Sequence, residues 1–332
     1  MKGLQAFAAL LGSFAISAAA AQDVVALKFA HDLPETTIKA RTIKLFAEKV
    51  DEYSQGKMRI DVYPGAQLVA SKDEVRAAIR GQVDIVGPLT SYYVPLDVRW
   101  EVFNLPGLFS SFSESMKVLE GKTGQELLQG LERFRLHGLA LWHDGPGYLY
   151  TSEKPARVPA DVQGMKVRVT PSAPLEAGVR AVGGIPVSLQ APDVYLGLQQ
   201  GLVSGAITTV TLAASARWYE VLTSMTRLMQ QHGGYAVVIN KARWDKLSDE
   251  QKGVIQRAID DASKWNREIA EQNAIAAEKT LTDNGVQIQE LTPDEMKLWH
   301  EKYKAVYAEQ DEDVQKLITQ VRQEIDANST AD

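Results

Sequence analysis

Hydrophobic residues recur along this chain in two patterns, alternation for strands and a three-to-four-residue spacing for helices. Residues 24–30 (VVALKFA) form a continuous apolar run that predicts a buried strand. Ile43, Phe46, Ala47, Val50 and Tyr53 then mark one face of a helix that Gly56 stops. Residues 58–63 alternate like a strand and end at the turn Pro64-Gly65. Ser71 and Glu74 have the spacing of a capping box ahead of a helix striped by Val75, Ala78 and Ile79. Residues 83–87 supply a third strand. Strand–helix–strand–helix–strand predicts right-handed crossovers and a parallel sheet. The pattern restarts with strands at 165–169 and 185–187, helices at 174–182 and 193–200, and a segment 202–209 leading into a strand. Two such units predict an α/β fold with two lobes, and a late strand at 235–240 returns to the first.

The last third is helical. Ser248 and Gln251 form a second capping box, and Val254, Ile255, Ala258, Ile259, Ala262, Trp265 and Ile269 keep helical spacing. No strong breaker follows until Asn284-Gly285. A helix of about 36 residues is about 54 Å long, more than one small domain, so it is expected to span both lobes. Thr292-Pro293 starts another helix.

The amino end changes the picture. Met1-Lys2 is basic, Leu4 to Ile16 is apolar, and Ala19-Ala20-Ala21 offers a cleavage site. This is the layout of a secretory signal peptide. Its apolar run of about 13 residues is too short to span a bilayer. Residues 1–21 are therefore set aside, and a soluble, periplasmic mature chain is expected from Gln22.

Composition then excludes several functions. Cysteine is absent, which removes thiol enzymes and thiolate metal sites. The net charge is −6, and no segment is strongly basic, so nucleic-acid binding is not expected. His31, His137, His143, His232 and His300 never have the i, i+4 spacing of a helical zinc pair. Gly121-Lys122-Thr123 resembles the end of a phosphate loop, but Met116 stands where its leading glycine belongs. No catalytic set, metal or cofactor is expected. Arg168 is the exception among the charged residues. It lies near the C-terminal end of an apolar strand, where open α/β sheets bind ligands, and its planar fork matches a carboxylate. An outward-facing arginine paired with a surface acid fits the strand pattern equally well.

Several blocks occur in a familiar order. Gly56 to Pro64 with Gln67-Leu68, Asn104-Leu105-Pro106 with Leu108-Phe109, Pro159 to Val169, and Val194 to Ala206 are four of them. Trp218-Tyr219-Glu220-Val221, His232, and Val238 to Lys241 with Trp244 continue the series. Together they resemble the TRAP-transporter extracytoplasmic solute-binding proteins of the DctP type, over nearly all of the mature chain. The resemblance implies a two-lobed, periplasmic-binding-protein-like α/β fold with a ligand cleft. It also implies an organic acid as ligand, TRAP membrane permease subunits as partners, and a monomer. A binding protein for another uptake system, a ligand sensor and an exported enzyme are the alternatives. Lobe I is expected in 22–147 and 233–270, and lobe II in 148–232 and 271–332.

In that family the arginine at the position of Arg168 clamps the ligand carboxylate. Thr208 stands where an asparagine is common, Tyr148 falls nearest a frequent second arginine, and Ala191-Pro192 replaces an aromatic contact. One arginine and added tyrosines suggest a monocarboxylate with an apolar or aromatic body. Tyr148, Tyr92 and Trp218 are candidates to line its pocket, Ser91 and Thr208 to hydrogen-bond it, and His31 to face the cleft.

Overall fold

The computed structural model describes residues 24–329, so the expected signal peptide lies outside the described residues. β1 (Val25–Ala30), α1 (Ile38–Ser54), β2 (Met58–Tyr63), α2 (Glu74–Ile79) and β3 (Ile85–Val86) follow one another, and β1 pairs in parallel with both β2 and β3. The Thr37 side chain caps α1 by accepting from the Ala40 N–H. Ile43, Phe46 and Val50 of α1 then pack with Leu27 and Phe29. Each such side chain contributes about 1.5–3 kcal/mol when fully buried.

The capping box expected at Ser71 does not form. The Ser71 hydroxyl instead donates to Asp32 at 2.7 Å, and both Glu74 carboxyl oxygens are buried without a hydrogen-bond partner among the described residues. A carboxylate distant in sequence outcompetes the local cap, which spacing alone does not reveal.

α3 (Phe112–Glu120) and α4 (Lys122–Gly130) lead into β4 (Leu136–Thr151). The second unit contains β5 (Lys166–Val169), α5 (Ala173–Ala181), β6 (Ile185–Ser188), α6 (Ala191–Gln199), β7 (Gly205–Thr209) and α7 (Val210–Ser215). β5 is parallel to both β6 and β7. β8 (Ser224–Asn240), α8 (Lys241–Asp245), α9 (Asp249–Asp283), β9 (Gln287–Gln289), α10 (Pro293–Ala308) and α11 (Glu312–Ser329) complete the chain.

The two parallel units are joined. β4 and β8 are antiparallel neighbours that run through both, giving one nine-stranded sheet of order β2-β1-β3-β8-β4-β7-β5-β6 with β9 beside β8. The hydrophobic pattern hides β4 because Gly138, Gly145, Pro146 and Gly147 read as breakers. The strand passes them as register shifts at Gly138/Ala140, His143/Gly145 and Gly147/Leu149. For the same reason β8 begins at Ser224 and not at residue 235. The strands are close here: a Cβ on Gly233 would lie 2.7 Å from the Gly145 carbonyl oxygen.

α9 starts at the Ser248–Gln251 capping box and ends at Asn284, as its pattern predicts. It packs on α1 and β4 and, further along, on α7, and so spans both units. Its middle residue, Asn266, is fully buried and grips the crossing strand. The amide accepts from the His143 N–H at 2.7 Å and donates to the His143 carbonyl at 3.0 Å and to Thr42 at 3.2 Å. β7 reaches β4 only from Gly147 onward, so the two main-chain groups of His143 are turned to the helix instead. α10 packs on α5, and α11 on α3.

Candidate functional site

β5 lies between β6 and β7, and Arg168 near its C-terminal end is buried and lines a cavity. It is 2% exposed, with no carboxylate partner among the described residues. Its Nε and one Nη donate to the Leu189 carbonyl at 3.0 and 2.9 Å, and the other Nη to the Ile207 carbonyl at 3.1 Å. A guanidinium has five N–H groups, so each terminal nitrogen keeps one free. Its centre lies 5.8 Å from the Trp218 ring, which backs it. Burial without a counter-charge lowers its pKa to about 10.

Arg168 borders a cavity enclosing about 450 Å³ of atom-free space, its open mouth included. Leu33, Leu89, Ala191 and Leu212 give that cavity an apolar wall, and Tyr92, Thr170, Thr208 and Gln231 give it polar edges. Tyr92 follows β3, and its hydroxyl donates across the cavity to Gln190 at 2.5 Å, just before α6. Burial raises its pKa.

The wall around Asp32 and Asp144 is acidic. Asp32 accepts from Lys39 at 3.0 Å and from Ser71 at 2.7 Å. Burial opposes its charge, but Lys39 and Ser71 outweigh burial and hold its pKa below the usual value. Lys39 has no exposed surface, and its ammonium sits 4.8 Å over the Tyr235 ring. Burial alone would lower its pKa, and Asp32 and Glu74 reverse that. Glu74, buried beside this pair, is pushed up to about 8 by desolvation. Burial also raises Asp144, against hydrogen bonds from Thr209, Thr211 and Tyr235.

Of the residues singled out from sequence, Arg168, Thr208 and Tyr92 line the cavity. Trp218 stands behind the guanidinium. His31, Ser91 and Tyr148 are not among the lining residues. His31 is buried next to Asp32, with its pKa lowered to about 4 mainly by desolvation. Ser91 is buried with its hydroxyl unpartnered. Tyr148 has its phenol near Arg227 and Glu278. Sequence reading missed Asp32, Asp144 and Tyr235. Asp32 lies two residues beyond the C-terminal end of β1, in the position from which such sheets contact ligands, and that was the signal available.

A second polar chain, Ser115–His232–His143–Glu120, has the residue types of a catalytic relay. Ser115 is fully buried beside Phe112, and none of the four residues lines the cavity. Among the described residues no group of three or more His, Asp or Glu side chains is placed to hold a metal ion. No helix among them is long and apolar enough to cross a membrane.

A joined two-unit sheet, a helix lying across it and a partly open cavity bordered by a cation without a carboxylate partner among the described residues define a ligand-capturing protein of the two-lobed cleft type. The chain belongs to the bacterial extracellular solute-binding proteins, family 7 (DctP), whose model matches residues 29–313. These are the periplasmic solute-binding proteins of TRAP transporters, substrate-binding proteins that work with membrane permease subunits. The C4-dicarboxylate-binding periplasmic protein DctP of Rhodobacter capsulatus is 31% identical over 301 residues, 90% of either chain. A TRAP periplasmic solute-binding protein from Shewanella oneidensis, solved with bound succinate, superposes with a TM-score of 0.85 at 29% identity, covering 92% of this chain and 99% of that one. Its counterpart from Sulfurospirillum deleyianum, also with succinate, gives 0.84 at 28% identity, covering 90% and 98%.

Proposed function

We propose that this chain captures a small monocarboxylate with a largely apolar body between its lobes and delivers it to a TRAP-type membrane permease. The observation that carries this reading is Arg168, a buried guanidinium that borders a cavity, has no carboxylate partner among the described residues and keeps two N–H groups outside its three hydrogen bonds. Leaving such a charge unpaired is costly, and a ligand carboxylate removes that cost. The bound succinate of the two similar structures suits the same size of ligand. The leucines here favour an apolar body, and the acidic wall disfavours a second negative charge.

In this reading Arg168 clamps the carboxylate, while Thr208 and Tyr92 contact the ligand. Trp218 supports the guanidinium; His31, Ser91 and Tyr148 act from behind the wall. Lobe I comprises 22–147 and 233–270, and lobe II 148–232 and 271–332. The irregular stretches of β4 and β8 then form the hinge, and the Tyr92–Gln190 hydrogen bond closes the cleft.

Thermal-shift screening of refolded, ligand-stripped protein against short organic acids tests this. A ligand at 100 times its dissociation constant adds about 2.7 kcal/mol of apparent stability. The expected result is a shift with monocarboxylates that Arg168→Ala abolishes. A shift that survives Arg168→Ala removes the clamp.

A further inference from the structure

We infer that Asp32 sets the ligand class of this cleft: by occupying the ammonium of Lys39 it leaves Arg168 as the cavity's cation without a carboxylate partner among the described residues, and so excludes dicarboxylates. The inference rests on Arg168 being the carboxylate clamp.

Two buried cations stand near the cavity. Arg168 has no carboxylate partner among the described residues, whereas Lys39, which is not itself a lining residue, has its ammonium 3.0 Å from Asp32 of the wall. A dicarboxylate brings two negative charges into this low-dielectric space. The first meets Arg168. The second needs a cation at the opposite wall and meets Asp32 and Asp144 instead. Tyr92 lines the cavity together with Arg168 and Asp32.

Asp32 is fixed in this role. One oxygen holds Lys39 and the other holds Ser71, the serine freed from its helix cap. The carboxylate therefore cannot swing aside without losing two buried partners. Like charge brought against a held carboxylate is a repulsive device, and specificity is commonly built that way. Glu74 is fully buried and acts on Lys39 more strongly than Asp144 does, so it is the first group to test as a replacement counter-ion for Asp32.

The test uses succinate and succinamate, which have nearly the same shape and differ by one charge. Isothermal titration is run on stripped wild type, Asp32→Asn, and Asp32→Asn with Glu74→Gln, each first checked for folding by circular dichroism. Wild type is expected to bind succinamate at least tenfold more tightly than succinate, a measurement that needs no variant. Removing Asp32, alone or with Glu74, is expected to tighten succinate binding at least tenfold. Wild-type binding of succinate as tight as that of succinamate, or no gain in either variant, overturns the inference. Arg168→Ala is titrated in parallel: if it binds as wild type does, the clamp itself fails. A clamp that stands while succinate is accepted isolates the failure to Asp32.

Discussion

Asn266 is the place where a single side chain holds the long helix to the crossing strand. Replacement by leucine keeps the number and branching of the side-chain heavy atoms, adds some bulk and removes three hydrogen bonds. The N–H and carbonyl of His143 then lose their partner within the protein interior. Each buried, unpartnered group costs about 1–3 kcal/mol, so the loss is about 2–6 kcal/mol. Leucine recovers about 1.5–3 kcal/mol through apolar burial. At mid-range, about 4 kcal/mol lost against about 2 recovered, the net expectation is a destabilisation of about 2 kcal/mol. Equilibrium urea unfolding of ligand-stripped protein measures it as a lower midpoint at unchanged slope. Asn266→Asp keeps the acceptor for the His143 N–H and loses both donors, so it makes a second point on the series. Because Asp144 follows His143 and lines the cavity, ligand affinity should fall as well. A midpoint for Asn266→Leu within about 0.5 kcal/mol of wild type would refute the pin, since it would mean that His143 finds other partners without cost.

The other tests address charge and the cleft. Glu74 has a folded pKa of about 8 against an ordinary 4.5. The folded state therefore binds a proton that the unfolded state has released between those values, and stability should fall as pH rises through that window. Glu74→Gln should flatten this slope and raise stability above pH 8 by a few kcal/mol; urea midpoints from pH 5 to 9 that show the same slope in both proteins would contradict it. Tyr92→Phe removes the hydrogen bond across the cleft and should weaken ligand binding about three- to tenfold, as one net hydrogen bond is worth 0.5–1.5 kcal/mol. Tyr148→Phe should leave affinity unchanged, because its phenol faces Arg227 and Glu278; titration calorimetry that reverses this order would displace the cavity assignment.

Local pattern made α9 legible from end to end: its capping box, its stripe and its stop all lie within its own sequence. The same holds for β1, β2 and β5 with their helices. β4 was not legible, because its glycines and proline signal turns, and only the neighbouring strands on both sides keep it extended. At the cavity, Arg168 stood out through its place on an apolar strand. Asp32 and Asp144 did not, since their meaning comes from Lys39, Ser71, Thr209 and Tyr235, which are remote in sequence. Ser71 shows the limit best: the spacing to Glu74 is that of a cap, and the hydroxyl was taken by a carboxylate 39 residues earlier.

The position of β8 also bears on when the chain can fold. β3 closes against it through Ile85 and Ile239, a pairing of about 150 residues in separation, and β4 closes against it as well. The first unit thus has its central neighbour missing until almost three-quarters of the polypeptide has been made. Contacts that distant form slowly, because loop closure comes before any gain from pairing. For a chain whose first residues read as an export leader this delay is useful. If that leader directs export, the segment emerging before β8 is made has its sheet still open and can be threaded through a membrane pore.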